Sequence, residues 1–225
     1  MALTLTEYIA RTAQLLMDTG AAIWPTATLT EAIRLALQEY SFAYPQRTET
    51  VIVLPGDGHE IALDALTGLI SVTQVWWPYD STADEVWPPY RVAGWRLTWD
   101  NGQPVLILDS DEEDQPEQDD EVRIWYSLLQ TIQDLDSASA TTVPSAHDSI
   151  LVTGAAGYAC LARAADLVET AAQQMTATPN LAALGERYLS RFRKSLDALR
   201  RRTEGPAWPD RGWKLDKWDS EYSSG

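Results

Sequence analysis

The sequence predicts an α+β fold: a helical bundle of about four helices with an inserted antiparallel β unit and an extended C-terminal arm. Three observations predict it. Apolar residues recur at helical spacing towards both ends of the chain. The period drops to two from Arg47 to Ile132. Beyond Arg202 the regular pattern stops while tryptophans continue.

Thr4-x-x-Glu7 has the spacing of a capping box, in which two side chains satisfy backbone N–H groups that a first helical turn leaves free. Leu5, Tyr8, Ile9, Leu15 and Leu16 then share a face, with Gly20 as a stop. Thr28-x-x-Glu31 repeats the signal ahead of Leu29, Ile33, Leu37 and Tyr40, closed by Pro45, and the short link holding Trp24-Pro25 implies an antiparallel helix pair. From Arg47, TETVIVL and EIAL flank Pro55-Gly56-Asp57-Gly58, the composition of a tight hairpin. GLISVTQVWW, YRVAGWRLTW, QPVLIL and VRIWYSLLQTI continue the alternation, with Asp100-Asn101-Gly102 as a second hairpin turn, for five or six strands.

Gln133 to Ser145 is small and polar and reads as a connector. His147 to about Thr176 is an Ala-rich helix, roughly 45 Å long at 1.5 Å per residue. After Thr178-Pro179, residues Leu181, Leu184, Tyr188, Leu189, Phe192, Leu196 and Leu199 keep helical spacing until Gly205-Pro206. The organisation expected is a helical domain of residues 1–46 and 146–203, a β insertion of 47–132, a linker of 133–145 and an interaction arm of 204–225. Helices on either side of the insertion can share one core.

Charge and residue usage narrow the function. Lys and Arg number 17 against 33 Asp and Glu, a net charge of −16 that disfavours general binding to a phosphate backbone. A lone Cys160 excludes an intrachain disulfide, and with two histidines it cannot furnish a structural zinc site, so no metal or other cofactor is expected. The N-terminus lacks the basic start and continuous apolar run of a signal peptide, and nowhere do about eighteen apolar residues run uninterrupted. A soluble protein made in a cytoplasm, with no membrane partner, is expected.

Candidate sites resolve mostly into structure. In Asp109 to Glu121, Asp109, Asp111 and Glu113 alternate like calcium-loop ligands, but Asp114 stands where such a loop needs glycine and Pro116 follows, so a solvated loop is expected. Asp57, His59 and Glu60 lack a nucleophile and fit a turn. His147 and Asp148 fit the first turn of a helix, where an acidic residue suits the dipole, so no catalytic residue is expected. Gly154-Ala-Ala-Gly157 lies inside a helix and admits a close backbone, of this chain or of an adjacent subunit. Trp76, Trp77, Trp87, Trp95, Trp99 and Trp125 would serve a carbohydrate-binding module as a stacking platform. The simpler reading is core or subunit contact, with Trp95 and Trp99 on one face around Leu97. Arg187 precedes a basic set, Arg191, Arg193, Lys194, Arg200, Arg201 and Arg202, which exceeds what a helix dipole needs and suits subunit contact with an acidic neighbour in a head-to-tail ring.

The arm carries Trp208, Trp213 and Trp218 at five-residue intervals, with Leu215 and Tyr222. Burying three indoles is worth about 12–18 kcal/mol, while ordering about twenty residues costs on the order of 20–40 kcal/mol. They therefore act as anchors, and an extended stretch reaching about 60–70 Å points them at another protein.

The Thr-capped helix pair, the insertion ending in VRIWYSLLQTI, the stretch VPSAHDSILVTGAAGYACLARAADL and the final LGERYLSRFRKSLDALRR together resemble the head-to-tail adaptor (head completion or connector) proteins of tailed bacteriophages. That resemblance implies a non-enzymatic virion protein, made in the host cytoplasm and built into the particle neck. It implies a homo-oligomeric ring, typically a dodecamer, beneath the portal protein and above a downstream tail or stopper (nozzle) protein. DNA would pass through without specific binding, as an acidic channel wall favours. The arm that docks on the portal would then be carried by Trp208, Trp213, Lys214, Leu215, Trp218 and Tyr222. The β insertion is longer and richer in tryptophan than in the smallest members of that family.

Overall fold

Helix α1 (Leu5–Leu15) starts at the capping box: Thr4 Oγ1 accepts from the Glu7 N–H at 3.4 Å, and Glu7 Oε2 accepts from the Thr4 N–H at 2.7 Å. The Thr4 backbone N–H, and after it the Thr4 hydroxyl, hold the Glu7 carboxyl below its ordinary range. The structure is a computed structural model that describes residues 2–18, 20, 23–81, 94–109, 116–170 and 177–203.

Helix α2 (Thr26–Ala43) begins before the second Thr-x-x-Glu signal, which is not used as a capping box. Pro25 stands at the N-cap and makes no side-chain cap bond. Its φ of −58° suits a helix entry, and Trp24 and Leu29 on either side of that entry are buried in one apolar cluster, as a hydrophobic staple requires. The Asp18 carboxylate accepts from the N–H groups of Ile23 at 2.9 Å and Trp24 at 2.8 Å, which fixes the link between α1 and α2.

Helices α3 (Asp148–Thr170) and α4 (Ala177–Thr203) complete the bundle. Pro179 lies inside the first turn of α4 rather than ahead of it, where its missing N–H has no intrahelical partner to lose. The glycines of α3 turn out to face α4 of the same chain. A Cβ on Gly154 would stand 2.9 Å from the Phe192 ring, and one on Gly157 would stand 2.8 Å from Leu189 Cγ. Tyr8, Ile33, Tyr40, Leu151 and Phe192, drawn from all four helices, are buried in one core. The stretch Ser145–Leu167 is long and apolar enough to cross a membrane by length and composition, and half of it is buried inside the protein. Leu151, Ala155, Ala156, Ala159 and Cys160 use that apolar character in packing against the other helices.

The β unit comprises β1 (Gln46–Val53), β2 (Glu60–Ala62), β3 (Leu69–Tyr79), β4 (Trp95–Asp100), β5 (Gln103–Leu108) and β6 (Glu121–Leu128). They form two antiparallel three-stranded sheets, ordered β1-β6-β3 and β2-β5-β4. The expected β1–β2 hairpin is therefore absent: at Pro55-Gly56-Asp57-Gly58 the chain crosses from one sheet to the other. The polar groups that would close a hairpin turn elsewhere, since Asp57 Oδ1 accepts from the Gln118 N–H at 2.8 Å and the Gly58 N–H donates to Pro116 O at 3.0 Å. Leu54 and Ile61, on the two sides of the crossing, fill a core with Val75, Leu106, Val122 and Ile124 between the sheets.

The second hairpin forms as expected. Asn101 and Gly102 have φ of +47° and +81° between β4 and β5, the two left-handed positions of a type I′ turn. Gly102→Val is expected to lower stability by about 1–2 kcal/mol, because a β-branched residue is disfavoured in this region whatever the space around it. Gly102→Asn should stay near wild type in the same thermal melts.

Residues 129–143 do more than connect. Gln130 is nearly buried; its N–H donates to Ser41 Oγ at 3.0 Å, its Nε2 to Tyr44 O at 3.0 Å, and its Oε1 accepts from Thr142 Oγ1 at 2.7 Å. Ile132, Leu135 and Val143 enter the helical core. The base of the β unit is thereby stitched to the bundle by both apolar and polar contacts.

Candidate assembly interfaces

Helix α4 buries Leu189, Phe192, Leu196 and Leu199 and turns its opposite side outward. That outer side carries Arg187, Arg191, Lys194 and Arg201, spaced four, three and seven residues apart, a basic stripe about 21 Å long at 1.5 Å per residue. All four are exposed and make no ion pair among the described residues. With Glu186 and Ser190, the first three line a shallow concavity of about 500 Å³.

The six basic residues expected to act together do not all lie on this stripe. Arg193 Nε donates to Glu39 Oε1 at 3.0 Å, and the other oxygen of Glu39 accepts from the Tyr158 hydroxyl, so Arg193 ties α4 to α2 and α3. The hydrogen bond to Glu39 raises its pKa further. Arg200, seven residues on, falls on the same side of α4 as Arg193. The side chain of Arg202 lies outside the described residues, as does the whole arm with Trp208, Trp213, Lys214, Leu215, Trp218 and Tyr222.

The tryptophans of the β unit part company. Trp76 and Trp125 pack at 4.3 Å between ring centroids on the outer face of the β1-β6-β3 sheet. Arg123 Cζ lies 4.7 Å from the Trp125 ring centroid, 5.3 Å from that of Tyr79 and 5.5 Å from that of Trp76, and its guanidinium pairs with Glu49 at 2.7 Å. The guanidinium covers ring surface that a sugar would need. Trp77 faces the core between the sheets and donates to Asp120 Oδ2 at 3.3 Å. Trp95 and Trp99 share a face with Leu97 along the regular β4 ladder, as expected, but Trp95 and Leu97 pack against that core while Trp99 is 57% exposed beside the Asn101-Gly102 turn. Trp87 lies outside the described residues. The Arg123 cluster was not foreseen, although Arg123 and Trp125 alternate with the buried Val122, Ile124 and Tyr126 and so must share the other face.

Charge is divided unevenly along the chain. Residues 47–132 hold 17 Asp and Glu against 4 Lys and Arg, a net −13 of the total −16, whereas α4 holds 2 against 7, a net +5. Within the β unit, Asp57, Glu60, Glu117 and Asp119 are exposed on the connected 54–60 and 116–120 segments. Asp111, Glu113 and Asp114 of the acidic run lie outside the described residues, and among those described no group of three His, Cys, Asp or Glu is placed to hold a metal ion.

The remaining polar candidates are spent inside the bundle. Asp148 Oδ1 accepts from the buried Tyr8 hydroxyl at 2.6 Å, and Asp148 Oδ2 lies 3.6 Å from Arg11. His147 Nδ1 lies 2.7 Å from the Tyr40 hydroxyl, with the Tyr44 ring edge-on at 4.9 Å. Burial, and then Asp148, raise the Tyr8 pKa, and burial raises that of Tyr40. Cys160 is pushed up to about 11 by burial, which keeps it a thiol at neutral pH. An apolar groove of about 540 Å³ runs past Leu15, Met17, Ile23, Leu181, Leu184 and Tyr188 at one end of the bundle.

No known protein family and no curated protein matches the chain. Several solved chains resemble it, among them two from gene transfer agent particles. A chain from the neck of an empty GTA particle computed with C6 symmetry is 18% identical over 83% of this chain and 88% of that one, with a TM-score of 0.33. A chain from the virion of a native gene transfer agent particle is 18% identical over 83% and 89%, with a TM-score of 0.32.

Proposed function

We propose that this protein is a structural, non-enzymatic adaptor of a phage-type neck. Copies join head to tail into a ring, the arm of residues 204–225 clasps the portal, and DNA passes the acidic wall without specific contacts. The observation that carries this reading is the basic stripe on the outside of α4, without ion pairs among the described residues, in an otherwise acidic chain and on the helix that leads directly into the tryptophan-bearing arm. Arg191, Lys194 and Arg201 are the subunit-contact residues of this arrangement. Trp208, Trp213, Lys214, Leu215, Trp218 and Tyr222 form the portal-binding set. The likeness of the sequence to head-to-tail adaptors supports the same assignment, and the Arg123 guanidinium lying against the Trp76 and Trp125 rings disfavours a sugar platform on that face.

All three apolar clusters of the described structure end at or before Leu199, so a chain ending at Arg202 should melt at the temperature of the full chain. Its binding to portal protein, read by native mass spectrometry, should weaken at least about a hundredfold, the usual scale for losing several aromatic anchors. Undiminished portal binding by the shortened chain would overturn the arm assignment.

A further inference from the structure

We infer that the basic stripe of α4 takes the acidic β unit of a second copy as its partner, which rests on the ring reading above and names the surface that closes it. Arg187, Arg191, Lys194 and Arg201 stand outside the bundle without ion pairs among the described residues. Within one copy the complementary charge is held apart. β1 and β6 run from the base of the β unit, at Gln46 and Leu128, to the acidic segments at Leu54 and Asp120, about 25 Å away at 3.3 Å per residue. Among the described residues, none of these four cations forms an ion pair with the β unit.

The signs decide which surfaces meet. Two β units facing each other would set one net −13 surface against another, and two α4 helices would set +5 against +5, so a two-fold contact of either kind is repulsive. Only the α4 of one copy against the β unit of the next brings opposite charges together. Such a contact uses two different surfaces; formed once per pair of copies, it leaves one of each kind free at the ends and propagates until it closes, whereas a reciprocal two-fold dimer would use both at once and stop at two copies. Exposed pairs are individually weak and are screened over about 10 Å at 0.1 M salt and about 3 Å at 1 M, so this association must be salt-sensitive.

The test uses the full chain in two charge-reversed forms, one with Arg187→Glu, Arg191→Glu and Lys194→Glu, the other with Asp57→Lys, Glu117→Lys and Asp119→Lys. In sedimentation velocity at low salt, wild type should self-associate, and each variant alone should do so at least about tenfold more weakly. An equimolar mixture of the two should associate again, because the reversed stripe of one meets the reversed β unit of the other. That recovery also shows that both variants are folded. Wild type that stays monomeric at low salt, a stripe variant that associates like wild type, or a mixture that fails to recover would each overturn the inference. So would tight binding of a DNA duplex that the stripe substitutions abolish, which would assign the stripe to nucleic acid. Electron microscopy separates this inference from the ring reading: rings that survive the stripe substitutions sink the contact and keep the ring. Salt-sensitive open chains with the recovery intact sink the ring and keep the contact.

Discussion

Phe192→Ala is expected to cost about 3–5 kcal/mol, the range for emptying a fully buried aromatic site, and to lower Tm by about 6–20 °C in a chain of this size. Phe192 has no solvent exposure and its ring lies over Gly154, where a Cβ would come within 2.9 Å. The loss is therefore a void where α3 and α4 pack closely. The glycines give the complementary test. Alanine normally favours a helix over glycine by about 1 kcal/mol. At Gly157 the added Cβ would meet Leu189 Cγ at 2.8 Å and the Leu189 backbone nitrogen at 3.1 Å, and the backbone yields only if the helices separate. Overpacking at about 1–3 kcal/mol wins, so Gly157→Ala should also destabilise. Gly154→Ala combined with Phe192→Leu should cost less than the sum of the single changes, since the smaller side chain makes room for the new methyl. A Gly157→Ala protein that melts above wild type would refute the close α3–α4 packing.

Asp148→Ala is expected to lower stability by about 1–3 kcal/mol, the cost of leaving a buried donor without its acceptor. The donor is the Tyr8 hydroxyl, fully buried between α1 and α3 and 2.6 Å from the carboxylate. Arg11 adds little, being half exposed and 3.6 Å away. The double variant Tyr8→Phe with Asp148→Ala removes donor and acceptor together, and denaturant melts should place it above the sum of the single losses by about 0.5 kcal/mol or more. Strict additivity would show that this hydrogen bond does not join the two helices.

Local signals in the chain predicted local structure well. The capping box at Thr4, the Asn101-Gly102 turn and the alternation of β6 each depend on residues a few positions apart, and each appears in the fold. The signals that misled were also local. Thr28-x-x-Glu31 lost to Pro25 and the buried Trp24, and the Pro55–Gly58 turn was redirected by hydrogen bonds to residues some sixty positions away. The shared face of Trp95 and Trp99 held, but their spacing did not carry their unequal burial, since one packs on the β core and the other lies near the end of its strand beside a turn.

The basic helix was evident from composition, but its division was not. Arg193 differs from Arg191 only by where α2 and α3 place Glu39 and Tyr158. The Arg123 cluster likewise needed β3 to bring Trp76 and Tyr79 alongside β6. By itself the sequence determined the α+β class, the positions of most elements, the acidic surplus and the residue types available for contact, because periodicity and charge count are properties of the chain. Only the tertiary structure decided that the α3 glycines serve α4, that the strands divide into two sheets, and which cations are left facing outward. Pairing across long sequence separations depends on which surfaces meet, and no local pattern carries that information.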